Sequence, residues 1–165
     1  MKEIEKLEEW TNKKCGEIIF DSDIDNWSQN TSEFDDLILN KRNLLFLIKS
    51  DNNIKFGGFL NTIIDKRGDD KWIKDENAFL FTFKDNKPMK FNIKKDKSEY
   101  AFIVRTKKQE DLFNFGYYDI NIYKKGYKSE IKPNTFEYEG NTNALIGRTG
   151  PRCFSPKRII VIQMK

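Results

Sequence analysis

The chain has 165 residues, of which 38% are hydrophobic and 14% are aromatic, a size and composition that indicate one globular domain. It contains no histidine, which excludes Ser-His-Asp and Cys-His nucleophile pairs, His-ligated zinc and imidazole acid-base catalysis. The formal net charge of +4 is unevenly distributed, because residues 1–75 hold twelve basic and sixteen acidic side chains, whereas residues 76–165 hold eighteen and ten.

An amphipathic helix is predicted at the N-terminus. Apolar side chains recur there at helical spacing among Glu and Lys: Ile4, Leu7 and Trp10. We predict that this helix occupies residues 1–16, that Gly16 ends it, and that a separate domain follows over residues 17–165. The helix is interpreted as a lid on that domain, and the start of a coiled coil is the alternative.

The sequence after residue 16 is dominated by strand patterns. Thr31 and Ser32 resemble an N-cap for one short helix, with Phe34, Leu37 and Ile38 on its buried face. Apolar or alternating segments between turn residues predict strands at 17–21, 43–49, 54–60, 78–83, 89–93, 100–104, 112–115, 118–123 and 158–164. This pattern predicts a mainly β fold, a two-sheet antiparallel β-sandwich with a few short helices on its periphery.

Four residues in or beside the predicted strands have conformational roles that their chemistry suggests. Gly57 and Gly58 interrupt a strand, which indicates a bulge or a close approach of another part of the chain. Gly116 is expected to supply a positive φ or a tight crossing before the next strand. Asp119 is expected to accept hydrogen bonds from backbone amides in a turn, a structural role.

Aromatic residues are expected to anchor the strand predicted at 78–83 and the charged loop before it. Alternation places Phe79, Phe81 and Phe83 on one face of their strand, where we predict that they belong to the core. The charged loop before them is expected to be anchored by Trp72 and Ile73.

Taken in order, these segments resemble the TLDc domain family. The residues that carry the resemblance are the strand 44–48, Phe56-Gly57-Gly58-Phe59, Phe79-Leu80-Phe81, Leu112-Phe113-Asn114-Phe115-Gly116 and Asp119-Ile120-Asn121-Ile122. Each motif is common by itself, but the family has an FGG-type turn, an FLF strand, an FG segment and a D-[LI]-x-I strand in this same order. The resemblance extends from about Glu17 to Lys165.

The resemblance implies a non-catalytic protein-interaction domain. TLDc proteins are associated with resistance to oxidative stress and with binding to the vacuolar proton-pumping ATPase, so a subunit of that ATPase is the partner that the resemblance implies. The sequence has neither a glycine-rich phosphate loop nor a CxxC pair. We therefore expect no enzymatic activity, no cofactor and no metal site.

Nucleic-acid binding through the basic second half of the chain is the alternative function. Glycines lie near two guanidiniums in the segment 147–152, and the segment 124–128 combines lysines with an aromatic residue. The candidate binding residues are Arg148, Arg152, Lys124, Lys125 and Lys128. This alternative would place the protein in the nucleus.

The two cysteines and the N-terminal sequence predict the compartment. Cys15 and Cys153 are too few for a disulfide framework, and the charged N-terminus lacks the apolar core of a signal peptide. We expect free thiols and an intracellular, cytoplasmic location. A redox-active Cys153, next to Arg152, is a further hypothesis.

Overall fold

The structure is a computed structural model that describes residues 2–141, 143–147 and 153–165. Two α-helices are present in this part of the chain, α1 (Lys2–Thr11) and α2 (Phe34–Ile38), with 3₁₀ segments at Lys84–Asn86 and Lys95–Tyr100. The strands are β1 (Cys15–Asp21), β2 (Leu44–Lys49), β3 (Lys55–Leu60), β4 (Phe79–Thr82), β5 (Met89–Asn92), β6 (Phe102–Val104), β7 (Asp111–Phe115), β8 (Ile120–Tyr123), β9 (Ser129–Glu130), β10 (Cys153–Phe154) and β11 (Arg158–Met164).

The strands form two antiparallel sheets, which confirms the predicted mainly β sandwich. The six-stranded sheet has the order β1-β11-β2-β3-β4-β5, and the five-stranded sheet has the order β10-β9-β8-β7-β6. Each predicted strand is present within a few residues of its expected bounds. Short strands were expected between residues 124 and 156, but the positions of the two-residue strands β9 and β10 were not predicted, because a segment this short shows no recognisable alternation.

Phenylalanine rings fill the space between the two sheets. Phe46 of the six-stranded sheet contacts Phe102 and Phe115 of the five-stranded sheet, with ring centroids 5.1 Å apart in both pairs. Phe34 of α2 closes one side of this core, and its ring lies 4.8 Å from that of Phe20 and 5.2 Å from that of Phe113. Burial of each such side chain contributes about 1.5–3 kcal/mol to the stability of the folded state. The aromatic residues therefore hold the two sheets together.

Helix α1 lies on the outer face of the six-stranded sheet. Its Leu7 is buried, and its Trp10 contacts Phe79, Phe81 and Phe83, with ring centroids 6.0–6.3 Å apart. The prediction that these three phenylalanines share one face is therefore confirmed. They belong to a second, smaller apolar cluster beneath α1, separate from the core between the sheets.

The predicted end of the N-terminal helix at Gly16 is wrong. The helix ends at Thr11, where Asn12 adopts a φ of 54°, a left-handed conformation that commonly follows the last helical residue. Strand β1 already begins at Cys15, and Gly16 lies within it. Helix and sandwich thus form one packed unit, with the helix in the position expected for a lid.

Gly58 is required by a close approach between the sheets. Strands β2 and β3 pair without a register shift, so the predicted bulge is absent and the alternative, close approach, applies. A Cβ atom at Gly58 would lie 2.8 Å from the ring of Phe115, and one at Gly57 would collide with the carbonyl of Phe46. Only glycine fits at these two positions without displacing neighbouring atoms.

Candidate functional site

Lys124, one of the predicted binding residues, is buried. Its side chain is 1% exposed, and its ammonium group donates hydrogen bonds to the carbonyl oxygens of Thr106 at 2.9 Å and Asp111 at 2.8 Å, and to that of Gln109. Burial lowers the pKa of this ammonium group. Lys124 therefore closes the loop between β6 and β7, and the structure corrects its assignment to a surface that binds phosphate.

Replacing Lys124 by methionine is expected to lower the free energy of unfolding by about 1–2 kcal/mol. The substitution keeps the length of the side chain but leaves three carbonyl oxygens without their donor, and the cost is reduced because a buried charge is also removed. Urea denaturation followed by tryptophan fluorescence measures the change. Lys125→Met is the matched control, because Lys125 is exposed and should change stability by at most about 0.5 kcal/mol. Equal stability of both variants would contradict the assigned role.

The remaining predicted basic residues divide into two groups. Lys125 and Lys128 lie with Gly126 and Tyr127 in an exposed turn between β8 and β9. The backbone amide of Lys125 donates to the carbonyl of Trp27 at 3.2 Å, which fixes the start of this turn. Arg148 and Arg152 lie outside the described residues. The structure therefore brings together two of the five predicted cations on an accessible surface.

Asp119 has the structural role that the sequence predicted, with partners distant in the chain. Its carboxylate is fully buried and accepts hydrogen bonds from the backbone amides of Asn134, Thr135 and Phe136 at 2.9–3.2 Å. The hydroxyl of Tyr138 donates a fourth bond at 2.6 Å. Burial raises the pKa of the carboxyl group, and the hydrogen bonds from Tyr138, Asn134 and Thr135 oppose that shift. Asp119 thereby ties the segment 134–138 to the turn before β8.

Four aromatic side chains form a continuous exposed cluster, which we call the aromatic surface: Trp72, Tyr100, Tyr117 and Tyr118. The three tyrosines are 36–50% exposed, and Trp72 is partly exposed. The ring of Trp72 stacks on that of Tyr117 with centroids 6.0 Å apart and meets that of Tyr100 edge-on at 5.5 Å. Tyr118 meets Tyr117 edge-on at 5.2 Å. Exposed aromatic side chains are enriched at protein interfaces.

Backbone contacts of the neighbouring residues hold the aromatic surface in place. The amide of Ile73 donates to the carbonyl of Phe102 at 2.7 Å, which fixes the loop that carries Trp72. Gly116 adopts a φ of 67°, as predicted, and turns the chain after β7. The amide of Tyr117 then donates to the hydroxyl oxygen of Thr135 at 2.7 Å. Because Thr135 is itself held by Asp119, the Asp119 network supports the aromatic surface.

Sequence reasoning did not identify the aromatic surface. Trp72 and Ile73 were both predicted to anchor their loop, but only Ile73 is fully buried, whereas Trp72 contributes to the surface. The other three rings come from two further segments of the chain, so no local sequence pattern predicts the cluster. The adjacent pair Tyr117-Tyr118, directly after Gly116, was the one available signal, because a turn exposes its side chains.

Cys15 is a free thiol. Cys15 is partly buried at the start of β1, and burial raises the pKa of its thiol, to which the nearby Glu8 adds. This environment disfavours the reactive thiolate. Cys153 is exposed in β10. Arg158, which follows Cys153 closely in the chain, is bound to Asp21 through two hydrogen bonds of 3.2 and 2.7 Å.

Two other kinds of feature are absent from the described part of the chain. The Asp, Glu and Cys side chains of residues 2–141, 143–147 and 153–165 form no group of three or more suited to a metal ion. No helix within these same ranges has the length and apolarity required to cross a lipid bilayer.

Comparison with known protein families gives a match to the TLDc domain over residues 2–147. The matched region contains α1, which the resemblance in the sequence had left out, together with β1 to β9 and all four members of the aromatic surface. Strand β11 follows the matched region but occupies a central position in the six-stranded sheet. No curated protein matches the chain.

Proposed function

The chain belongs to the TLDc domain family, and from this premise we propose that it is a non-catalytic protein-interaction domain. The observation that carries the proposal is the aromatic surface, in which Trp72, Tyr100, Tyr117 and Tyr118 expose contiguous rings. Trp and Tyr are prominent among the residues that dominate binding energy in protein interfaces. Backbone hydrogen bonds of Ile73 and Tyr117 fix the segments that carry Trp72 and Tyr117, so little conformational entropy is lost there when a partner binds.

The partner that we propose is the vacuolar proton-pumping ATPase, in the context of resistance to oxidative stress. Support for this partner comes from membership of the TLDc family, since proteins of this family are associated with both properties. An intracellular location is part of the same proposal.

Loss of the aromatic surface is expected to weaken binding to the purified cytosolic sector of this ATPase. The double variant Trp72→Ala, Tyr117→Ala removes the stacked pair at the centre of the surface, and the dissociation constant should rise about 30-fold or more. Biolayer interferometry with the immobilised domain measures the change. Tyr127→Ala is the matched control, because Tyr127 is 42% exposed but lies outside the aromatic surface. The affinity of this variant for the ATPase sector should equal that of the wild type.

Two results would contradict this proposal at different levels. Failure of the wild-type domain to bind the ATPase sector would overturn the proposed partner. Equal binding by the wild type and the double variant would overturn the proposed surface. Circular dichroism spectra of the variants serve as the control for folding, because loss of binding supports the proposal only where the variant is folded.

Nucleic-acid binding is the second candidate, favoured by the exposed turn that contains Lys125, Tyr127 and Lys128. A fluorescent single-stranded oligonucleotide, added to the same panel of variants, separates the two functions. Under the second candidate, Tyr127→Ala weakens binding and the aromatic-surface variant does not. Affinity would also fall steeply with rising salt, because phosphate contacts release counterions.

A further inference from the structure

Helix α1 covers only part of the outer face of the six-stranded sheet. Beneath the helix, outward side chains such as Phe81 and Met164 are fully buried. Beside the helix, Leu47 and Ile160 are only half-buried, and Ile18 on the edge strand β1 is 58% exposed. Strands lie about 4.8 Å apart and packed helices about 8–10 Å apart, so one helix covers about two strands. A sheet of six strands therefore has room for another helix next to α1.

A groove of about 480 Å³ marks this place. Its apolar lining consists of Ile4 and Leu7 from α1, Leu47 from β2, Ile160 from β11, and Phe83, which follows β4. Ile4 is 45% exposed although it belongs to the apolar stripe of the helix. The two walls of the groove are thus an apolar helix face and an apolar sheet face, the shape that an amphipathic helix fills.

Three cations lie in a row at one end of the groove. Arg158 is the register partner of Lys49, and Lys49 is the register partner of Lys55. Alternation places all three side chains on the outer face, as it does Leu47 and Ile160. Like charges on directly opposed residues are destabilising. We call these three residues the cation row.

In the part of the chain that the structure describes, acidic side chains neutralise only the two ends of the cation row. Glu3 pairs with Lys55 at 2.9 Å, and Asp21 pairs with Arg158 at 2.7 Å. Within the described residues, Lys49 forms no ion pair, although it stands between the other two. An anionic group placed in the groove would therefore interact most directly with Lys49.

We propose that this groove binds an amphipathic helix of a partner protein, with acidic residues at the C-terminal end of that helix. The apolar stripe of the partner helix contacts Ile4, Leu47 and Ile160, and its acidic last turn contacts Lys49. The N-terminal turn of α1 lies at the cation row, because Glu3 reaches Lys55. A partner helix antiparallel to α1 places its C-terminus there, where the negative end of the helix dipole also favours lysine.

This inference goes beyond the proposed function, because it concerns another surface. The aromatic surface is built on the loop before β4, the segment before β6 and the turn after β7, whereas the groove lies on the outer face of the six-stranded sheet between α1, β2 and β11. A negative result at one of these surfaces leaves the test of the other unaffected.

The test uses two synthetic helical peptides that differ only in charge. Both are 14 residues long and carry leucines on one stripe, and one has three glutamates in its last turn where the other has three lysines. We expect the wild-type protein to bind the glutamate peptide at least about tenfold more tightly in fluorescence anisotropy, since tenfold corresponds to about 1.4 kcal/mol. Lys49→Glu should reverse this preference.

Control variants assign the binding to the groove. Ile4→Ser replaces an exposed apolar residue on α1 and should weaken binding of the glutamate peptide about fivefold to tenfold by the loss of apolar contact. Lys128→Glu alters an exposed lysine in the β8–β9 turn and should leave the affinity of both peptides unchanged. Equal affinity of the two peptides for the wild type, or the same preference in Lys49→Glu, would overturn the proposal.

Two other occupants are distinguished in the same samples. Sedimentation velocity that shows a dimer of the wild-type chain, lost in Ile4→Ser, would identify a second copy as the occupant and overturn the partner-helix proposal. Binding to phosphatidylserine vesicles, lost in Lys49→Glu, with no binding of either peptide would identify a membrane surface and overturn it as well.

Discussion

Replacing Asp119 by alanine is expected to lower the free energy of unfolding by about 3–5 kcal/mol, which is the cost of breaking a buried network of charged hydrogen bonds. The carboxylate is fully buried and is the common acceptor of three backbone amides and the Tyr138 hydroxyl. In the alanine variant, these donors remain buried without an acceptor. Urea denaturation followed by circular dichroism measures the loss.

Two further variants separate the contributions of shape and charge at Asp119. Asp119→Asn keeps one acceptor oxygen but directs an amide group at the backbone donors, so its loss of stability should lie between those of wild type and alanine. Asp65→Ala is the matched control, because Asp65 is exposed in an irregular segment and should change stability by at most about 0.5 kcal/mol. A loss below about 1 kcal/mol for Asp119→Ala would show that the network is not important for stability.

The Asp119 substitution should also alter the aromatic surface. The amide of Thr135 donates a hydrogen bond to Asp119, and the hydroxyl oxygen of Thr135 accepts one from the amide of Tyr117. Without the carboxylate, the segment 134–138 loses its attachment, and the position of Tyr117 is no longer fixed relative to Trp72. Tryptophan fluorescence of the folded Asp119→Asn protein should therefore shift to longer wavelength, as expected for a more solvated Trp72.

Gly58→Ala is expected to lower the free energy of unfolding by about 2–3 kcal/mol. The new methyl group would lie 2.8–2.9 Å from three atoms of the Phe115 ring, and this ring is fully buried between the sheets. The sheets must move apart or the ring must leave its preferred rotamer, which is the usual cost of overpacking a core. Thermal and urea denaturation measure the change.

A double-mutant cycle with Phe115→Leu tests whether this collision is the cause. Leucine is smaller than phenylalanine at the point of contact, so the double variant should be more stable than the sum of the two single losses predicts. Additive losses would show that the destabilisation arises elsewhere, for example in the pairing of β3 with β4. The positive-φ residue Gly116 is unsuitable as a comparison, because its substitution adds backbone strain.

Strand positions were predictable from sequence because alternation is a local property. The runs Leu44–Lys49 and Arg158–Met164 carry apolar residues on both faces, and the structure buries one face between the sheets while the other faces α1 or the groove. The roles of Gly58, Gly116 and Asp119 were also predictable, because the chemistry of these residues permits few roles. Helix α1 was predicted with its end misplaced, since Asn12 ends it before Gly16.

The site residues were harder to predict, because exposure depends on contacts between distant segments. Lys124 was predicted to be accessible, like Lys125. Its side chain instead points into the protein, as those of Ile120 and Ile122 do at alternate positions of β8, and its ammonium group donates hydrogen bonds to a loop more than ten residues away. Applying the period of the strand one residue beyond its end would have placed this side chain inside. The aromatic surface and the cation row each combine residues from three chain segments. A single sequence does not show which distant segments lie next to each other in the fold.

The sheet order has a consequence for the moment at which this protein can fold during its synthesis. Strand β11 is inserted between β1 and β2, and the amides and carbonyls of Lys14 and Lys165 bond reciprocally at 2.7 Å. A ribosome therefore releases the first strand long before its neighbour exists. Until Arg158–Met164 emerges, β1 lacks the strand with which it pairs in this structure and the edge of β2 is open to other nascent chains, so a slow step of translation before β11 would prolong the time in which a molecular chaperone is needed.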